Sequence, residues 1–327
     1  MNFTHFTAGK DDEGRRMDKL LRRFLTQESL SSLYKSLRKG LIKLNGKKCE
    51  GNSRVSEGDD IQIADFLLSL DEAGSKKNVE AEPVCEDWVL FRSEDLLILN
   101  KPYDIPVQPG SEEKALSEYV EADYEYFHQE KDSLSFKCGP LHRLDRKTTG
   151  IIVFSQSLKG AQWFSKSIHD HESKKTYLGL CQGNFSGSED WIDNIEKNDD
   201  GKESFHKVSV GEKSGKEAVT HATALAHGKY NGTEVTLVQY VIETGRTHQI
   251  RSQTSFHGHP LLGDVAYGGK KIDSKITGQD FFLHAWQLDF PSERMEGLPK
   301  KIVCGISTKF KKMLNDSLIN GDSCIKL

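Results

Sequence analysis

The segment Gly139-Pro140-Leu141-His142-Arg143-Leu144-Asp145-Arg146-Lys147-Thr148-Thr149-Gly150 sets one carboxylate among three cations, directly before the apolar run Ile151-Ile152-Val153-Phe154. A turn that leads into a buried strand presents its side chains at a cleft, and nearby positive charge keeps an acid ionised. Held in that form, Asp145 has the chemistry of a nucleophile or a base. Surface ion-pair networks produce the same pattern, so the segment needs partners before it means catalysis. A protein-kinase catalytic loop is excluded, because an extra residue separates Arg143 from Asp145, no glycine-rich nucleotide loop precedes them and no Asp-Phe-Gly follows.

A second chemical segment is Ile242-Glu243-Thr244-Gly245-Arg246-Thr247-His248-Gln249-Ile250-Arg251, followed by His257-Gly258-His259-Pro260-Leu261-Leu262-Gly263-Asp264. Two arginines and three histidines around glycine turns suit phosphate contacts and the pairing of a buried carboxylate. A metal is not expected here: His248, His257 and His259 fit neither a helical His-x-x-x-His pair nor a zinc finger, and no cysteine lies nearby. Between these segments, Lys175-Thr176-Tyr177-Leu178-Gly179-Leu180 carries a tyrosine among apolar neighbours, which by itself reads as a core tyrosine with a satisfied hydroxyl. No cofactor fingerprint appears elsewhere, so none is expected.

The elements that hold these segments fall into two regions. Met17, Leu20, Leu21, Phe24 and Leu25 recur at helical spacing, which predicts an amphipathic helix over Arg15 to Leu25 with Arg16, Lys19, Arg22 and Arg23 outward. A second helix is expected from Ser31, with Leu33 and Leu37 inside, Lys35, Arg38 and Lys39 outside, and Gly40 as its stop. Leu41, Ile42 and Leu44 before Asn45-Gly46 predict a tight hairpin, and Gly58-Asp59-Asp60 introduces a strand at Ile61-Gln62-Ile63. Residues 1–70 therefore read as a small basic α/β domain, and the polar stretch 71–83 as a linker. Residues 84–327 carry apolar runs at Leu96 to Leu99, Ile151 to Phe154, Tyr177 to Leu180, Val235 to Ile242 and Phe281 to Leu288. Helical patterns are fewer and do not alternate regularly with strands, which predicts an α+β domain with a mixed, largely antiparallel sheet, flanking helices and a central cleft, not a doubly wound parallel sheet. The polar segment Asn194 to Gly215 reads as an exposed excursion.

Composition narrows the class. In 327 residues, 36% hydrophobic content supports a packed core. No window approaches the roughly 20 apolar residues that span a bilayer, the N-terminal stretch lacks a signal-peptide run, and six scattered cysteines suggest neither a disulfide framework nor a zinc ribbon. A cytoplasmic protein without a membrane partner is expected. The net charge is −4, yet Arg15 to Lys48 hold eleven Lys or Arg against Asp18 and Glu28, an asymmetry that points to a polyanion-binding module.

Arg16-Met17-Asp18-Lys19-Leu20, Leu37-Arg38-Lys39-Gly40 and Ile42-Lys43-Leu44-Asn45-Gly46-Lys47 together resemble the small RNA-binding domain shared by a ribosomal small-subunit protein and tyrosyl-tRNA synthetases. The three chemical segments, with Asn100-Lys101-Pro102 before them and Leu283-His284-Ala285 after, resemble the successive motifs of the RluA-type pseudouridine synthases. The full arrangement is similar to their RluC and RluD branch. The resemblance implies isomerisation of uridine to pseudouridine in RNA, with large-subunit ribosomal RNA the first partner to test and transfer RNA the second. Nothing in the sequence demands more than a monomer. By the same resemblance Asp145 is the catalytic aspartate, Tyr177 the active-site tyrosine that stacks on the base, and Arg251 the arginine that pairs with the aspartate. Arg143 supports the flipped nucleotide and Leu283 belongs to the hydrophobic wall beneath the uracil. His142 and Arg246 are expected to contact substrate, and Arg16, Lys19, Arg38 and Lys39 to hold phosphates. Three departures stand out: Thr149 for a usual serine, Gly179 for a common alanine, and Ser252-Gln253 for a frequent valine-histidine pair. The last bears on how the third motif packs or contacts RNA.

Two rival classes remain. A non-catalytic RNA-binding or ribosome-assembly factor has no need of Asp145, Tyr177 and Arg251 together. A glycoside hydrolase needs a second acid where this segment offers arginine.

Overall fold

A computed structural model describes residues 1–25, 28–72, 82–110, 114–127, 134, 136–197, 208–211, 215–317 and 319. The chain forms two units, one of Met1–Val84, Tyr119–Gly139 and Gln156–Gly160, the other of Cys85–Glu118, Pro140–Ser155 and Ala161–Leu327.

In the first unit lie β1 (Phe3–Thr7), α1 (Met17–Phe24), α2 (Leu30–Lys39), β2 (Ile42–Leu44), β3 (Lys47–Lys48), β4 (Asp60–Ala64) and α3 (Asp65–Glu72). Met17, Leu20 and Leu21 bury one side of α1, while Arg16, Lys19 and Arg22 stay exposed, as the helical spacing requires. Helix α2 starts where the Ser29 hydroxyl accepts the Ser32 N–H, and stops at Gly40 in the left-handed conformation, φ 73°. Leu33 and Leu37 face the core; Arg38 and Lys39 face solvent. Asn45 and Gly46, with φ of 51° and 74°, turn β2 into β3. The sheet runs β1-β4-β2-β3 and is antiparallel throughout. Strand β1 and helix α3 are absent from the sequence reading, the first because Phe-Thr-His-Phe-Thr is too short and polar to stand out. Helix α3 runs into the expected linker 71–83, of which residues 73–81 lie outside those described.

The second unit is built on β5 (Val89–Arg92), β6 (Leu96–Lys101), β8 (Thr149–Ser155), β9 (Lys174–Gln182), β10 (Ser188–Lys197), β11 (Val208–Gly211), β12 (Lys216–Tyr230), β13 (Thr233–Ile242), β14 (Leu283–Asp289) and β15 (Lys301–Val303), with α6 (Gln249–Phe256), α7 (Ser274–Thr277) and α8 (Thr308–Asp316). Helices α4 (Leu116–Phe127) and α5 (Leu158–His169) and the short strand β7 (Gly139–Pro140) contain residues of both units. The main path of the sheet is β11-β10-β12-β13-β9-β14-β8-β6-β5, with β15 on β14 and β7 on β8. Strand β14 pairs with β8 in parallel, whereas its pairs with β9 and β15, and the pairs β9–β13, β13–β12, β12–β10, β10–β11, β8–β6 and β6–β5, are antiparallel, so the expected mixed, largely antiparallel α+β fold is present. The expected excursion at Asn194 to Gly215 is in part regular: Asn194 to Lys197 pair with Val208 to Gly211. Residues 198–207 and 212–214 lie outside the described ones.

Strand alternation sorts the two faces of the sheet at its centre. Leu178, Leu180, Val235, Leu237 and Phe282 pack with Phe310, Met313 and Leu314 of α8 in one apolar cluster. Lys175, Tyr177 and Gly179 therefore point to the opposite face. Gly150, at φ 104°, allows the parallel pair to close, since a Cβ there would sit 2.2 Å from the Ala285 carbonyl oxygen. Gly179 is also closely approached: a Cβ would lie 3.0 Å from both Leu261 and the Tyr240 ring, so a larger residue requires these side chains to give way by a few tenths of an ångström.

Candidate active site

Four neighbouring strands deliver the chemical segments to one place. Residues 141–148 form the loop into β8, β9 carries Tyr177, β13 runs into the loop before α6, and β14 begins at Leu283. Asp145, His142, Arg143, Tyr177, Arg246, Arg251 and Leu283 all line a cavity of about 490 Å³. A second cavity of about 870 Å³ shares Arg143, Asp145, His248 and Arg251 with the first, so Asp145 stands where the two meet.

Arg251 is the most constrained group here. Its Nε and Nη2 donate to Asp264 at 2.6 and 2.8 Å, while Nη1 reaches Asp145 Oδ2 at 3.4 Å. The guanidinium carbon lies 4.9 Å from the Tyr267 ring centre and 4.8 Å from that of Phe281, so two aromatic faces fix its plane. Burial by itself lowers the Arg251 pKa, but hydrogen bonds and charge from Asp264, with Asp145, more than offset it and the group stays protonated. At 3.4 Å and an effective dielectric near 20, the gross attraction between Arg251 and Asp145 is roughly 5 kcal/mol. His248 Nε2 is 3.8 Å from Asp145 Oδ1, but burial lowers its pKa and favours the neutral ring, so this contact is not an ion pair. The ring nitrogen Nδ1 shares a hydrogen bond with the Tyr267 hydroxyl at 2.8 Å. The His248 backbone is left-handed, φ 53°, a strained state for a non-glycine residue placed where α6 begins beside the carboxylate.

The source of positive charge differs from the sequence reading. Arg146 pairs with Asp104 at 2.8 Å and Lys147 with Asp280, so two of the three flanking cations are already engaged. Arg143 is exposed at the rim of both cavities. Besides Arg251, Asp145 feels Lys101, which is fully buried and donates to the carbonyls of Pro102, Ile105 and Arg146 at 2.8, 2.8 and 2.7 Å. Burial pushes Lys101 down to about 7. Three carbonyl acceptors match the three donors of the ammonium form and favour it. By holding the Arg146 carbonyl, Lys101 also pins the loop that presents Asp145.

Tyr177 is 6% exposed, and burial first, then the charge of Asp145, raises its phenol well above the usual range. The side chain is therefore a neutral hydroxyl, not a phenolate. Leu283, paired with Gly179 on the neighbouring strand, is buried and lines the same cavity. His142 lines the cavity, yet its Nε2 accepts the Val153 N–H at 3.0 Å and burial pushes its pKa down to about 3, so the neutral ring braces the loop against β8. Arg246 is exposed, with Nε on the Glu217 carbonyl at 2.8 Å. Arg16, Lys19, Arg38 and Lys39 belong to the other unit, where all four are exposed and Arg16 is forked onto Asp18.

The histidines of the third segment go separate ways. His248 is at the site, His257 stacks on Trp191 at 4.7 Å and meets Asp193, and His259 lies edge-on to Phe185. Ser252 and Gln253 are buried; Gln253 joins Thr220, Asp193 and the Ala218 carbonyl, so this departure roots α6 in β10 and β12. Sequence reasoning missed Asp264, Tyr267, Phe281 and Lys101 as parts of the site. Asp264 and Lys101 stood inside quoted motifs; nothing local marked the two aromatic rings.

A sequence profile of the RNA pseudouridylate synthase family matches residues 95–256, from β6 through α6. Ribosomal large subunit pseudouridine synthase C of Buchnera aphidicola subsp. Schizaphis graminum is 28% identical over 310 residues, covering 94% of this chain and 95% of that one. The protein of the same name from Escherichia coli K12 is 27% identical over 291 residues, 86% of each chain. Among solved structures, human RNA pseudouridylate synthase domain containing 4 aligns with a TM-score of 0.54 at 22% identity, covering 71% of this chain and 94% of that one. That likeness carries the fold, and the sequence matches carry the family. With the motifs converging on one cavity, the chain belongs to the RNA pseudouridylate synthase family, on its RluA-type branch, and is an RNA pseudouridine synthase.

Proposed function

We propose that this protein converts uridine to pseudouridine in large-subunit ribosomal RNA, with Asp145 as its catalytic carboxylate. The observation that carries the reading is the meeting of Asp145, Arg251, Tyr177 and Leu283 in one cavity. The reaction breaks the bond between uracil N1 and ribose C1′, turns the base, joins C5 to C1′ and releases the C5 proton to the nitrogen or solvent. No electron or external group is transferred, so the chemistry needs no redox cofactor, nucleotide or metal. A paired uridine is inside the helical stack and must be extruded, at a cost of a few kcal/mol. Asp145 then acts on the sugar or the base as nucleophile or base, with Arg251 orienting it from 3.4 Å. Tyr177 stacks against the base and, as a neutral phenol, relays the C5 proton. Arg143 and Arg246 at the rim contact backbone phosphates.

The support for ribosomal RNA as substrate is the naming of the relatives, each a ribosomal large subunit pseudouridine synthase matched over 86% or more of its length. The first unit supplies affinity: Lys19, Arg38 and Lys39 present exposed charge to phosphates, with residues 1–70 as a small RNA-binding domain, 71–83 as a linker and 84–327 as the catalytic domain. A monomer in the cytoplasm suits this reading; among the described residues no helix is long and apolar enough to cross a membrane.

A carbodiimide primer-extension map of ribosomal and transfer RNA, from cells lacking the protein and cells complemented with it, tests the substrate. Loss and rescue of specific stops in large-subunit RNA is expected. Changes confined to transfer RNA would move the substrate, and no change in either would leave the non-catalytic RNA-binding reading.

A further inference from the structure

Lys175 differs from the other cations around the cavity. It is 8% exposed, lines the same cavity as Asp145, and lies two residues before Tyr177 on the same face of β9. Among the described residues its amine forms no hydrogen bond or ion pair, whereas the side chains of Lys101, Arg146, Lys147 and Arg251 are all engaged. A Cβ on Gly245 would lie 3.5 Å from its Nζ, so the amine sits directly under the loop that carries Arg246. Burial pushes the amine down to about 8, and no acidic neighbour offsets that shift. Asp145 is thus not its partner. A buried ammonium without a counter-charge is costly to the free protein, and the cost is relieved when an anion enters the cavity.

We propose that Lys175 binds a phosphate oxygen of the substrate strand next to the extruded uridine. This rests on RNA being the substrate. Uracil and ribose offer only neutral oxygens, while the backbone carries one negative charge per nucleotide, so phosphate is the group that completes the missing pair. Arg143 and Arg246 at the rim of the same cavity set a path along which the backbone reaches it. Lys175 is then a substrate-binding residue that contributes affinity through the backbone, distinct from the groups that act on the base.

The test uses the full chain with an in vitro transcript of large-subunit ribosomal RNA, comparing wild type, Lys175→Met and Lys175→Arg. Affinity is measured from 50 to 200 mM KCl, with the saturating single-turnover rate and the melting temperature alongside. Lys175→Met should weaken binding about 10- to 100-fold. It should also lower the slope of log affinity against log salt by about 0.7 to 0.9, the share of one phosphate. Its saturating rate should stay close to wild type, because an interaction made equally in ground and transition states does not alter it. Its melting temperature should not fall, since an unpaired buried charge has been removed; Lys175→Arg should keep the slope. Unchanged affinity and slope in Lys175→Met, with an active wild type, would overturn the assignment, as would a loss confined to the saturating rate. If wild type makes no pseudouridine yet Lys175→Met still loses the slope, the reaction proposed above fails and the phosphate interaction stands.

Discussion

Arg251 gripping Asp264 through two nitrogens at 2.6 and 2.8 Å leaves only Nη1 to face Asp145, at 3.4 Å. One guanidinium therefore serves two carboxylates unequally: Asp264 fixes the fork and Asp145 receives its free edge. Asp264 is 2% exposed and is a positioning residue.

From that geometry, Arg251→Met should lower the single-turnover rate while RNA affinity stays within a few fold. Asp264→Asn keeps the shape of the acid but loses the charged fork. Misplacing Arg251 by about 1 Å should then cost on the order of 10²-fold in rate. Equal losses of rate and affinity in both variants would mean that Arg251 binds RNA and does not orient Asp145.

Acid should destabilise the protein through two buried histidines. His284 Nε2 donates to the Cys304 carbonyl and its Nδ1 accepts from Thr149, which fixes a neutral tautomer. Burial pushes His284 down to about 4 and His142 to about 3. Unfolded histidine takes up a proton below about pH 6.5, whereas the folded groups resist until far lower. Their contribution is complete above about pH 6.5 and is lost as pH falls, at up to about 1.4 kcal/mol per unit for each ring. Urea midpoints measured from pH 7.5 to 4.5 should decline, and His142→Asn should flatten the decline. An identical slope in that variant would contradict the role of His142.

Gly150 is the closest approach in the parallel pair. Gly150→Ala forces a Cβ to 2.2 Å from the Ala285 carbonyl oxygen at φ 104°, which should destabilise by about 3 kcal/mol or more, read as a lower urea midpoint or loss of soluble protein. A midpoint within error of wild type would show that β8 and β14 adjust freely.

For the first unit, substitution is a cleaner probe than deletion, because the unit also takes in residues 119–139 and 156–160. Lys19→Gln, Arg38→Gln and Lys39→Gln together should weaken RNA binding and flatten its salt dependence by about 0.7 to 0.9 for every phosphate no longer held, with the saturating rate retained. Salt dependence equal to wild type would remove the phosphate role from these residues.

Much of this was legible in the chain because local rules agreed with the final packing. The period of Met17, Leu20 and Leu21 fixed the buried side of α1, and Gly40 and Asn45-Gly46 marked turns that need positive φ. The apolar runs at Ile151 to Phe154 and Val235 to Ile242 became central strands. What remained hidden depends on contacts distant in sequence. Arg146 and Lys147 stand beside Asp145 in the chain but turn to Asp104 and Asp280, while Lys101, far upstream, supports the Asp145 loop. Tyr267 and Phe281 sandwich Arg251 only once the loop after α6 folds back. Strand β12 was missed because His-Ala-Thr-Ala-Leu-Ala carries small residues whose alternation is weak in hydropathy and is set by pairing with β10 and β13.

The reading of the site stands or falls with Asp145 as the group that acts on uridine. Purified wild type and Asp145→Asn, mixed in excess with an unmodified transcript of large-subunit ribosomal RNA, should bind it within about twofold of one another. Pseudouridine counted by carbodiimide primer extension should form with wild type and be at least about 10³-fold slower with Asp145→Asn. A variant that turns over within about tenfold of wild type would contradict the account, and the catalytic group would have to be sought elsewhere in the cavity.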